Sequence, residues 1–200
     1  MHLFPLVMSA ALAAAEPPAA FKQGILPAQP PHIVGGGEVL LEVAVAASGT
    51  VREIRTLRAT APYTDLLRGA VKNWMFEPAR TVAGAAVSSR LLVGGSYRPA
   101  MVPGSGPTLS EAQRDVATAS AGVPFPSDTM PASYPPLAFG SSQVFLEFII
   151  AADGTFTAEV VGEANSPFRE AALEAARKWR FRPVGAPSLA YVVFGFRPQP

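Results

Sequence analysis

The chain has 200 residues, 49% of them apolar, and carries 16 Lys and Arg against 15 Asp and Glu. That length and apolar fraction allow a packed core in one or two domains, while the balanced charge excludes the overall signature of a polyanion binder. With no cysteine, the chain has no disulfide, thiolate metal site, cysteine nucleophile or lipid anchor on an N-terminal cysteine.

Residues 3–15 read LFPLVMSAALAAA. As a helix they reach about 20 Å, short of a hydrocarbon core of ~30 Å. Ala13 and Ala15 form an A-x-A pattern before Glu16, so 1–15 reads as a secretory signal peptide. Residues 16–36 are rich in Pro, Ala and Gly and read as a linker, with Gly35-Gly36-Gly37 as its hinge. The two histidines, His2 and His32, fall in these segments and are not expected to act as ligands or bases.

The rest of the chain is a duplication. Trp74-Met75-Phe76-Glu77-Pro78 returns 105 residues later as Trp179-Arg180-Phe181-Arg182-Pro183. At that offset residues 30–78 align with 135–183 without a gap, and about a third of the positions are identical. Each copy reads as an apolar strand (38–46 and 143–151) followed by a tight turn at Ser48-Gly49 or Asp153-Gly154. A second strand follows (51–57 and 156–161); its broken alternation in the first copy predicts a bulge. Next comes a helix. In the second copy Ser166 is its expected cap and Pro167 its first residue, and Phe168, Ala171, Ala172, Ala175 and Trp179 share one face. In the first copy the face is Leu66, Leu67, Ala70, Val71 and Trp74. Pro78 and Pro183 end the helical stretches, and a last strand closes each copy (87–97 and 189–196).

The order β-β-α-β predicts an α+β fold of two tandem modules, 37–99 and 134–200. Each is expected to be a three-stranded antiparallel sheet packed on one helix, with its last strand at an open edge. Residues 100–133 read as a linker, with a capping box at Thr108–Glu111 and a short helix carrying Leu109, Ala112, Val116 and Ala119.

No catalytic constellation emerges. There is no Gly-x-Ser-x-Gly elbow and no histidine placed to serve a nucleophile, and the glycine run precedes a strand, not a helix, so it is no phosphate cradle. Glu42 and Glu147 occupy matched strand positions and read as a solvated face. Arg52, Arg55 and Arg58 read as charge guarding an exposed edge rather than as a nucleic-acid surface. The expectation is a protein that is not an enzyme and has no cofactor and no metal.

Taken together, Tyr134-Pro135, Asp153-Gly154, Ser166-Pro167 and Trp179-x-Phe181-x-Pro183 resemble the TonB C-terminal domain. So do Pro30-Pro31, Ser48-Gly49, Pro62 and Trp74-x-Phe76-x-Pro78 in the first copy. The resemblance implies a periplasmic domain that receives the "TonB box" of an outer-membrane transporter beside its last strand, by β-augmentation. By position the partner-binding residues would be Leu91, Leu92 and Val93, and Val192, Val193 and Phe194. It also implies energy transduction with an ExbB–ExbD motor, if an inner-membrane anchor exists. The alternative is structural: the two modules pair their last strands with each other as a pseudo-dimer, or between copies, and transduce no energy.

Overall fold

The computed structural model describes residues 18–29, 35–98, 101–102, 106–107 and 114–198. In chain order the elements are β1 (Ala20–Gln23), β2 (Gly37–Val45), β3 (Val51–Ala59), α1 (Tyr63–Val71), β4 (Met75–Glu77), β5 (Ala79–Arg80), β6 (Ala86–Val87), β7 (Ser89–Tyr97), β8 (Met101–Val102), β9 (Gly106–Pro107), β10 (Arg114–Asp115), β11 (Pro126–Asp128), β12 (Ser142–Ile150), β13 (Phe156–Val160), α2 (Ser166–Ala176), β14 (Arg180–Phe181) and β15 (Ser188–Phe196).

The fold is α+β, with two helices and one large mixed sheet in the order β10-β3-β2-β7-β15-β12-β13. Every neighbouring pair in it is antiparallel except β7 and β15, which run parallel from Leu92↔Ala190 to Tyr97↔Gly195. The expected pair of separate three-stranded sheets is corrected: the last strand of each half lies at the centre of one sheet. Each would otherwise expose a long apolar edge, and pairing them satisfies the backbone groups of both.

Successive residues of a strand face opposite sides, and the core divides accordingly. Leu40, Leu92, Val144, Leu146, Phe148, Val192 and Phe194 join Phe168, Ala172 and Ala175 of α2. Val39, Leu41, Val43, Leu91, Val93, Phe145, Tyr191 and Val193 join Tyr63, Leu67 and Val71 of α1. The helices therefore cover opposite faces, and each face draws apolar side chains from both halves. This is why β2 and β15 read as nearly continuous apolar runs.

Trp74 and Trp179 are 1% and 0% exposed. Each indole N–H donates to a carbonyl 49 residues earlier, Trp74 to Ile25 (2.9 Å) and Trp179 to Met130 (3.0 Å). The segments before each copy are thus part of the fold: β1 pairs with β4, and β11 with β14. Phe21 of β1 also reaches the second half, packing its ring edge-on to Phe145 at 4.9 Å and donating its N–H to the Tyr191 hydroxyl at 2.8 Å.

Several local expectations change. The predicted bulge is present in β3, where Leu57 and Arg52 are skipped in its pairing with β2; β12 and β13 pair without interruption. The residue capping α2 is Asn165, not Ser166, whose hydroxyl donates to Glu170 at 2.8 Å. Gly35-Gly36-Gly37 is no hinge. Gly37 opens β2, and a Cβ there would sit 2.2 Å from the Thr60 side chain. Residues 114–119 form β10 and an irregular segment instead of a helix, because Val116 and Ala117 donate their N–H groups to the Leu57 carbonyl beside β3. Residues 108–113, the signal segment and both histidines lie outside the described residues. No described helix is long and apolar enough to cross a membrane.

Candidate functional site

Three features bear on function: the joined last strands, a buried carboxylate in the first half, and the free edge of the sheet in the second.

Leu91, Leu92, Val93, Val192, Val193 and Phe194 are all 3% exposed or less. They lie in β7 and β15, each paired on one side with a strand of its own half and on the other with its counterpart. The structure brings the two predicted binding segments together but leaves neither with an edge. A partner strand can add to them only if β7 and β15 part.

Glu42 lies on β2 between Leu41 and Val43 and is 1% exposed, which corrects its reading as a solvated residue. Its carboxylate receives four hydrogen bonds. Ser120 donates its backbone N–H to Oε2 (2.9 Å) and its hydroxyl to Oε1 (2.7 Å), while Arg90 donates to Oε1 (2.7 Å) and Arg55 to Oε2 (2.5 Å). Burial pushes the acid's pKa up, but these bonds from Ser120, Arg55 and Arg90 together hold it below the usual carboxylate value. Four residues earlier on β2 lies Glu38, which is 2% exposed; Arg58 bridges this acid and Asp115, donating to Asp115 from Nε at 2.5 Å. Here burial outweighs the Arg58 contact and raises the Glu38 pKa. Arg55 and Arg58 are therefore ion-paired on the sheet and do not form a free basic side. The interactions fasten residues 115–120, read in the sequence as linker, onto the first half. Phe125 continues the fastening, with the Arg58 and Arg182 guanidinium groups 5.6 and 5.8 Å from its ring centre.

Sequence reasoning missed this site. Its available signal was a glutamate inside an apolar strand with arginines on the returning strand; Ser120, distant in sequence, gave none. The matched residue Glu147 has a different setting. It accepts a hydrogen bond from the Tyr191 hydroxyl, and the residue directly opposite it on β13 is Glu159.

The two ends of the sheet also differ. At one end β10 covers β3, with Asp115 opposite Arg58. At the other, β13 has no outer neighbour among the described residues. A groove runs along that edge, lined by Ala158, Glu159, Val160, Glu163, Arg169 and Leu173. Among the described residues no group of three or more His, Cys, Asp or Glu side chains is placed to hold a metal ion.

Compared with known proteins, the chain has no significant match to a family model, a curated protein or a solved structure.

Proposed function

We propose that the chain is a periplasmic, non-enzymatic protein of two TonB-like β-β-α-β modules joined through their last strands as an internal pseudo-dimer, and that it binds other polypeptides without transducing energy. The observation that carries this reading is the parallel ladder between β7 and β15, which occupies both edges where a TonB box would add. The modular part is supported by spacing. β2 and β12, and β3 and β13, begin 105 residues apart, and each tryptophan bonds a carbonyl 49 residues before it. The periplasmic part rests on the apolar segment 3–15 and its A-x-A pattern.

Because the chain has no native cysteine, a bridge across the joint is unambiguous. Leu92 and Ala190 are direct partners, and neighbouring strands lie within disulfide reach. The Leu92→Cys/Ala190→Cys chain is expected to bridge under mild oxidation with its circular dichroism unchanged. A synthetic TonB-box peptide is expected to bind neither the reduced nor the bridged form. Failure to bridge, or peptide binding that the bridge abolishes, would restore β7 and β15 as receiving strands.

A further inference from the structure

The free edge of β13 has a counterpart within the same molecule. At the matched edge of the first half, β3 is covered by the chain's own residues Arg114–Asp115, running antiparallel. The cover is secured by charge, because Asp115 accepts from Arg58. The second half inverts the charge: by the 105-residue offset Glu163 stands at the Arg58 position, three residues past the end of β13 at Val160. β13 alternates half-buried Phe156, Ala158 and Val160 with exposed Thr157 and Glu159, the pattern of a strand that can be covered on one side.

The Glu147–Glu159 pair gives the second observation. In the first half the acid at this position faces Arg55 across the hairpin and Arg90 on the other side. In the second half Glu147 faces Glu159 on one side and Tyr191 on the other. Like charges directly opposite in a ladder repel. A cation arriving from outside β13 would supply what Arg55 supplies to Glu42.

We propose that the outer edge of β13 receives an extended segment of a partner polypeptide, antiparallel to it, with a lysine or arginine beside Glu159 and the Glu147 behind it. The chemistry selects against two other occupants. Residues 1–17 contain no Lys or Arg. A second copy pairing through the same edge would set Glu159 and Glu163 of both chains along one seam. Main-chain bonds supply the attachment and the acidic pair supplies the preference. The proposal rests on the internal pseudo-dimer, since a closed β7–β15 joint removes both last strands as receiving edges and leaves a partner strand the outer side of β13.

The test uses the full chain and two synthetic peptides with the sequence of residues 111–119, one native and one carrying Asp115→Lys. Binding is followed by fluorescence anisotropy at low salt. The Asp115→Lys peptide is expected to bind about tenfold more tightly than the native one. Glu159→Lys/Glu163→Lys in the chain, at two exposed positions, is expected to reverse that order without lowering the melting temperature. Ala158→Pro is expected to abolish binding of both. Each measurement is repeated on the chain bridged at positions 92 and 190. Binding that survives the bridge and reverses with the double variant supports the proposal. No binding by a bridged, folded chain, or binding indifferent to the double variant, overturns it and leaves Glu159 as a guard of the edge. Binding lost on bridging overturns both this proposal and the pseudo-dimer reading.

Discussion

Glu42 shows how one side chain can join a linker to a sheet. A carboxylate removed from water is costly unless its lone pairs are filled, and here Ser120, Arg55 and Arg90 fill them. Replacing it by glutamine leaves two arginines facing a neutral amide that accepts through one oxygen only. Glu42→Gln is expected to lower the unfolding free energy by about 3 kcal/mol, measured by urea denaturation at neutral pH. The pH dependence has a definite sign. Because the folded-state pKa is lowered, this carboxylate contributes stability that is fully present above the unfolded value of about 4.3. That contribution is lost as pH falls through the folded value. Glu38, with a raised pKa, works the other way: the folded state binds its proton more readily, so acidification favours folding at that group. The loss of stability below about pH 4.3 should therefore be shallower in Glu42→Gln than in the parent, whereas Glu38→Gln should lack the gain in stability that the parent shows as pH falls from the raised folded value of Glu38 towards about 4.3. Parallel curves for the three chains would remove Glu42 as the source of the acid dependence.

At the scale of elements, the repeated Gly-Thr turn and the repeated Trp-x-Phe-x-Pro segment are one device. Gly49 and Gly154 have φ of +83° and +89°. A Cβ on Gly49 would lie 2.1 Å from the Phe76 carbonyl oxygen, and one on Gly154 would lie 2.7 Å from that of Phe181. Phe76 in turn donates its N–H to the Gly49 carbonyl at 2.9 Å. Each hairpin turn is therefore seated on the short strand just before the proline, and glycine is required for its backbone angle and for its lack of a side chain. Gly162 has a similar φ of +78° but open space around it. Alanine at Gly162 should cost about 1 kcal/mol, alanine at Gly154 more, and alanine at Gly49 most. Three equal losses in thermal melts would show that the backbone angle alone matters.

This pairing also explains what the sequence revealed and what it hid. The strands, turns and helices were legible because periodicity and turn chemistry are local, and the two helix faces held at Leu67, Val71, Phe168, Ala172 and Ala175. The seat of the turn on Phe76 was visible only as two motifs that recurred together. The union of β7 and β15 was legible only as the alternative to an open edge, since a strand buried on both faces reads the same whether its neighbour is a partner's strand or the chain's own. The burial of Glu42 was hidden for a related reason: its donor Ser120 lies in a segment whose composition reads as linker. The same composition concealed β1 and β11, short strands held by their pairing with β4 and β14 and by the tryptophan N–H bonds just beyond them.

For the whole molecule, the decisive property is that neither half owns a face of the sheet. Trp179 belongs to a core that includes Leu40, Leu57 and Leu92 from the first half, and Trp74 to one that includes Phe145, Tyr191 and Val193 from the second. Two modules connected only by a tether would unfold separately; two that complete each other's cores should unfold together. The two tryptophans allow a direct test. In Trp179→Phe the remaining indole, Trp74, reports on the first half while the substitution weakens the second. The substitution removes buried ring area and the donor to the Met130 carbonyl, a loss of about 2 kcal/mol. With one cooperative unit, the Trp74 fluorescence transition in urea should shift to lower denaturant by the same amount as the far-ultraviolet circular dichroism, although Trp74 is untouched. The reciprocal variant, Trp74→Phe read at Trp179, should behave alike. If Trp74 fluorescence kept its parental midpoint while circular dichroism showed an earlier transition, the halves would be independently stable. The β7–β15 ladder would then be a contact between finished domains rather than the centre of a single fold.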